Sequence, residues 1–106
     1  MSVNFEDNSQ EIKNLMKRKK EQTLETLGQT AEGYAKRLCP VDTGTLRRSI
    51  SHGTQDEYAV IGTNVEYAPY VELGTRKMQA RSFLRKAIED HANTFRKIIK
   101  SIMGDD

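Results

Sequence analysis

The stretch from Cys39 to Thr75, CPVDTGTLRRSISHGTQDEYAVIGTNVEYAPYVELGT, constrains the fold more than any other part of the chain. It holds both prolines and all but three of the seven glycines. Within it a Gly-Thr pair recurs at Gly44-Thr45, Gly53-Thr54, Gly62-Thr63 and Gly74-Thr75, so turn signals fall nine, nine and twelve residues apart. A small antiparallel sheet needs such spacing, because each pass of about five or six extended residues must end in a residue that accepts positive φ without a Cβ clash. The flanks are periodic in a helical sense instead. A meander between two helices is the simplest reading.

Before the meander, residues 1–8 carry Phe5 as their only large apolar group and read as a flexible arm. From Ser9, a suitable N-cap, apolar residues recur in steps of three and four at Ile12, Leu15, Met16, Leu24, Leu27, Ala31, Tyr34, Ala35 and Leu38, with Thr23 filling the gap on that face. This predicts a helix over 9–39, stopped because Pro40 pushes the residue before it out of the α region. Left continuous, it would run about 45 Å at 1.5 Å per residue, against a radius of gyration of about 13 Å for a compact domain of this size. Either Gly28 or Gly33 bends it, or the surplus apolar turns at Ile12, Leu15 and Met16 pack on another chain.

Residues 40–81 read as sheet and loops. Asp42 and Thr43 can fold back on backbone N–H groups beside Gly44, and Leu46 and Ile50 face inward. Residues 48–53 and 57–62 form the best hairpin, within a sheet of three or four strands. Pro69 argues against a central strand, so 68–73 reads as one or two helical turns ended by Gly74. The basic segment 75–81 reads as an exposed loop. Ser82 then caps a second long helix over 82–103, with Leu84, Ala87, Ile88, His91, Phe95, Ile98, Ile99 and Ile102 on one face and Gly104 at its end. The expected class is α+β: a long N-terminal helix, a small antiparallel sheet, a short helical turn and a long C-terminal helix packed on the sheet.

Composition bounds the rest. With 106 residues the chain is a single domain, and with 36% apolar side chains and no tryptophan its core must be thin. Its 17 basic against 15 acidic residues fall well short of the basicity of a dedicated nucleic-acid binder. A single cysteine forms no internal disulfide and fits a reducing compartment; no signal-peptide or membrane-span pattern is present, so a cytosolic site of manufacture is expected.

Few residues are candidates for chemistry. His91 sits on the apolar face of the last helix and reads as a packing residue; His52 reads as surface; Cys39, at a helix C-terminus, reads as a small buried hydrophobe. No metal-ligand set and no phosphate loop occurs. Among the basic clusters, 17–20 is interleaved with Glu21 and Glu25 at helical spacing and reads as a solvated, ion-paired face. Arg76, Lys77 and Arg81 are less neutralised and could contact DNA phosphates without reading sequence.

Three stretches, PVDTGTLRRSI, VIGTNVEYAPYVELGT and ARSFLRKAIEDH, together resemble the tail-component family of long-tailed bacteriophages typified by gene product ten of phage Hong Kong 97. That pattern joins a proline-valine-aspartate-threonine-glycine turn, a G-T-N-x-x-Y-A-x-Y-V-E-x-G-T block and an R-x-F-L helix start. The likeness runs from Pro40 to about Ala92, with the first helix similar only in type.

The resemblance implies a structural neck or tail-completion protein of a phage or prophage, without catalysis or cofactor. It would assemble in the host cytoplasm as a ring, commonly a hexamer, where tail meets head, with neighbouring neck and tail proteins as partners. In the matching positions Asp42, Thr43 and Gly44 shape the first turn, and Tyr67, Ala68, Tyr70, Glu72, Gly74 and Thr75 form the core block. Gly44, Gly62 and Gly74 suit structural turns, while Tyr70 and Glu72 are candidates for subunit contact beside Ile12, Leu15 and Met16. If the loop lines a lumen, Arg76, Lys77 and Arg81 would face passing DNA. The alternative class is a small DNA-binding protein using that loop.

Overall fold

The computed structural model describes residues 5–40, 44–76 and 79–104. Helix α1 spans Phe5–Leu38, beginning ahead of Ser9 within the expected arm and running unbroken through Gly28 and Gly33. At 34 residues it is about 51 Å long. The molecule therefore measures 74 × 25 × 20 Å, with a radius of gyration of 18.6 Å, well above the roughly 13 Å of a compact chain this size. Its C-terminal half packs on the hairpin and on the last two helices, and its N-terminal half projects into solvent.

The buried positions of α1 are Thr23, Gly28, Ala31, Ala35 and, just past its end, Cys39. All are small, so neighbouring elements come close to the helix backbone there. The Thr23 hydroxyl is satisfied by donating to the Lys19 carbonyl at 2.7 Å, as a buried hydroxyl requires. Bulk comes from the other side of the core, where Leu46, Ile50, Val71 and Phe83 close on Ala35, Cys39, Ala68 and Ala87. Cys39 is buried, in line with its reading as a small hydrophobe.

Helix α2 spans Gly44–Ser49, so Gly44 opens a helix where a turn was expected, and Asp42 lies outside the described residues. Strands β1 (Ser51–Thr54) and β2 (Ala59–Gly62) pair antiparallel, with Ser51 opposite Gly62 and Thr54 opposite Ala59. They make a two-stranded sheet in place of the three or four strands predicted. The nine-residue step from Gly44 to Gly53 is taken up by a short helix and half a strand, and the twelve-residue step from Gly62 to Gly74 by a turn and helix α3 (Ala68–Leu73). Pro69 lies in the first turn of α3, and Gly74 alone of the four Gly-Thr glycines has positive φ, at 80°. Gly62 ends β2 without one. Gly74 donates its N–H to the Tyr70 carbonyl at 2.8 Å, closing the helix.

The predicted C-terminal helix is two helices, α4 (Phe83–Glu89) and α5 (Ala92–Met103), separated at Asp90 and His91. No glycine or proline marks the break. His91 stacks flat on Tyr34 of α1, with ring centroids 3.5 Å apart, and its Nδ1 donates to the Ala87 carbonyl at 3.2 Å. Phe95 meets the same tyrosine edge-on, so both aromatics hold α5 along α1 at the angle the break permits. Among the described residues no helix is long and apolar enough to cross a membrane.

Candidate assembly surface

Residues 9–18 of α1 are all exposed. Ile12, Leu15 and Met16, at helical spacings of three and one, share one side of the projecting helix and are 58%, 43% and 47% exposed. A helix draws most of its stability from packing an apolar face. Here none of the described residues covers that face.

The basic residues beside this stripe are arranged differently from the expected ion-paired face. Lys20 pairs with Glu57 at the tip of the hairpin, and Glu25 turns to the sheet instead of toward the lysines. Among the described residues Lys13, Lys17, Arg18 and Lys19 make no ion pair. They are solvated cations on the overhang.

The sheet is fastened to α1 by a cluster that the sequence reading missed. Glu25, Gly28 and Glu32 stand on one face of α1, and His52 of β1 lies over Gly28 between the two carboxylates. Its Nε2 is 2.7 Å from Glu25 Oε1 and its Nδ1 2.8 Å from Glu32 Oε1. Both contacts are hydrogen bonds only when both ring nitrogens carry protons, so the arrangement selects the imidazolium. The bonds to Glu25 and then Glu32 raise the His52 pKa above the ordinary value, against a smaller opposing effect of burial. The same bond lowers Glu25, and it lowers Glu32 together with the bond from Lys36. His52, expected at the surface, is a clamp with 18% of its side chain exposed. The signal available in the sequence was the 25, 28, 32 spacing of two acids around a glycine on one helical face.

A second cluster joins α3 to α4. Glu72 accepts the backbone N–H of Leu84 at 2.9 Å and of Arg85 at 3.1 Å, one on each carboxylate oxygen. These are donors that a helix N-terminus otherwise leaves unpaired, and the carboxylate suits the positive end of the helix dipole. Ser82 occupies the N-cap position but its hydroxyl makes no cap bond; it donates to the Glu72 carbonyl at 3.1 Å. Glu72 thus turns inward on its own chain. Tyr70 and Leu73, on the other side of the same helix, are 60% and 77% exposed. With Val65, Glu66, Pro69 and Leu84 near it, Leu73 borders an open groove of about 450 Å³ between the end of β2 and α3.

Of the basic loop, Arg76 and Arg81 are exposed and Lys77 lies outside the described residues. The backbone of Arg81 donates to the Val71 carbonyl at 2.7 Å, tying the loop back to α3. Among the described residues no cluster of three or more His, Cys, Asp or Glu could hold a metal ion. The dominant features of this surface are exposed apolar side chains flanked by unpaired charge.

Residues 4–74 match the model of one protein family, described as "Bacteriophage HK97-gp10, putative tail-component". The match takes in α1, which by eye was similar only in type, and stops at Gly74, ahead of the ARSFLRKAIEDH stretch. No curated protein and no solved structure gives a significant match.

Proposed function

The chain belongs to the HK97 gp10-like family of bacteriophage tail components, and from that premise we propose that it is a non-catalytic neck or tail-completion subunit. In this reading copies associate into a closed ring, a hexamer, at the junction of tail and head, in contact with neighbouring tail proteins and assembled in the host cytoplasm. The observation that supports it is the overhang. Ile12, Leu15 and Met16 stand exposed on a continuous helix and are covered by none of the described residues, and burying such a stripe against another chain gains about 25 cal/mol per Å² of apolar surface removed from water. Contacts made head to tail close into rings when the rotation between copies permits.

The test is complementation of a phage lacking the gene, with the wild-type protein and with an Ile12→Ser, Leu15→Ser, Met16→Ser triple variant. The expected result is tailed particles with the former and unjoined heads and tails with the latter, although the purified variant melts like wild type. Normal yields of joined particles in the absence of the protein would overturn the assignment. So would turnover of a substrate by the isolated chain.

A further inference from the structure

Two segments of the chain carry complementary surfaces that meet within one molecule at the hairpin tip and are otherwise apart. Residues 12–20 contain Lys13, Lys17, Arg18, Lys19 and Lys20 and no acidic side chain, set beside the exposed Ile12, Leu15 and Met16. Residues 53–75 contain Asp56, Glu57, Glu66 and Glu72 and no lysine, arginine or histidine. That second segment also presents exposed Tyr58, Val60, Tyr67, Tyr70 and Leu73. The overhang is apolar and cationic; of the acids, Asp56 and Glu57 stand at the hairpin tip and Glu72 caps α4, so the β2–α3 groove is apolar with the exposed carboxylate of Glu66 at its edge.

The two sets meet in the monomer at the hairpin tip, where Lys20 pairs with Glu57 and Lys17 lines the same pocket as Asp56 and Glu57. N-terminal to Lys17, α1 continues as one uninterrupted helix away from the domain, and carries Lys13 and the apolar stripe with it beyond the hairpin tip. The groove between β2 and α3, open at Leu73 and bearing Glu66 at its rim, is filled by none of the described residues.

We propose that the projecting half of α1 of one copy docks in the β2–α3 groove of a second copy. Ile12, Leu15 and Met16 then lie against Leu73, Val65 and Pro69, and Lys13 faces Glu66. This deepens the ring reading above and rests on it. Donor and acceptor are different patches, so a dimer formed this way keeps one of each unsatisfied and goes on adding copies until it closes. Opposed charges fix the direction of docking and disfavour α1 against α1, because like charges would be juxtaposed. DNA would satisfy the cations but would leave the apolar stripe in water.

The experiment is disulfide trapping with the full chain carrying Leu15→Cys and Leu73→Cys together, in particles made by complementation and in concentrated purified protein. Both positions are exposed and Cys39 is buried, so neither substitution should disturb folding and the native thiol should not compete. Expected is an oxidised ladder beyond the dimer, absent from either single variant. An equimolar mixture of the two singles should give a dimer with one copy of each. Glu66→Lys should weaken the ladder at least tenfold, and adding Lys13→Glu should restore it. A link only between two Leu15→Cys chains, a link to another tail protein, or no link in particles that contain the variant would overturn the docking. A ladder that ignores Glu66→Lys but vanishes with nuclease would overturn it in favour of DNA. If the double variant complements without linking, the docking alone fails. If particles join without any of this protein, the ring reading fails.

Discussion

The ring of His52 lies so close to Gly28 that a Cβ at position 28 would fall 2.7 Å from Cδ2 of the imidazole. The glycine is buried in the middle of a long helix, where it costs about 1 kcal/mol relative to alanine. That cost is retained because the space above Gly28 is where β1 fastens to α1. The consequence is a substitution whose sign depends on a second residue.

Gly28→Ala should destabilise the protein by about 1–2 kcal/mol despite the better helix former, since the imidazole is held by two carboxylates and cannot swing aside without losing a bond. In a His52→Ala background the same Gly28→Ala change should stabilise by up to about 1 kcal/mol. Urea denaturation of the four proteins of this cycle checks it. Stabilisation by Gly28→Ala in the wild-type background would show that the ring does not hold its place.

Protonation of His52 gives the clamp a pH window. Its folded pKa is raised, so its contribution is present in full below the ordinary imidazole value of about 6.5 and is lost as pH rises through the folded value. The carboxyls of Glu25 and Glu32 are lowered, so theirs is present above the ordinary value of about 4.3 and is lost as pH falls through the folded value. The contribution should therefore peak near pH 5–6 and decline toward pH 8. Denaturation midpoints against pH, compared with those of His52→Ala, should show the difference between the two proteins shrinking above pH 6.5. A difference that grows with alkaline pH contradicts the imidazolium.

At the start of α4 the capping role has passed from the residue in the cap position to one ten residues upstream. Glu72→Ala should cost about 1–2 kcal/mol, as loss of a helix cap does, and should fray the N–H groups of Leu84 and Arg85. Ser82→Ala should cost less, because the serine hydroxyl caps nothing. Amide hydrogen exchange at residues 84 and 85, with thermal melts, separates the two. Equal losses would return the cap to Ser82.

Core and overhang should respond in opposite ways. Phe83 is 1% exposed, and Phe83→Ala should cost about 3–5 kcal/mol, enough to unfold much of a domain whose total stability is about 5–15 kcal/mol. Leu15→Ser on the overhang should change monomer stability by no more than about 0.5 kcal/mol. Circular dichroism melts of the two variants check the contrast. A large loss from Leu15→Ser would mean the overhang packs on its own domain.

The sequence alone determined the parts that depend on near neighbours along the chain. The three-and-four spacing from Ile12 to Leu38 dictated α1, and Pro40 its end. Pro69 and Gly74 bounded α3, and three stretches between Pro40 and about Ala92 pointed to the family. Tertiary structure decided what depends on partners far apart. A six-residue segment such as 44–49 is ambiguous between strand and helix until Leu46 and Ile50 have a core to enter, and so the expected third and fourth strands never formed. The break at Asp90 and His91 has no local marker because its cause is Tyr34, fifty-seven residues away. The roles of His52 and Glu72 likewise came from geometry across the fold, because a side chain's partner is fixed by which surfaces pack together. Even there the sequence had already placed an acid, a glycine and an acid on one face of α1. Only packing revealed that a histidine fills the gap.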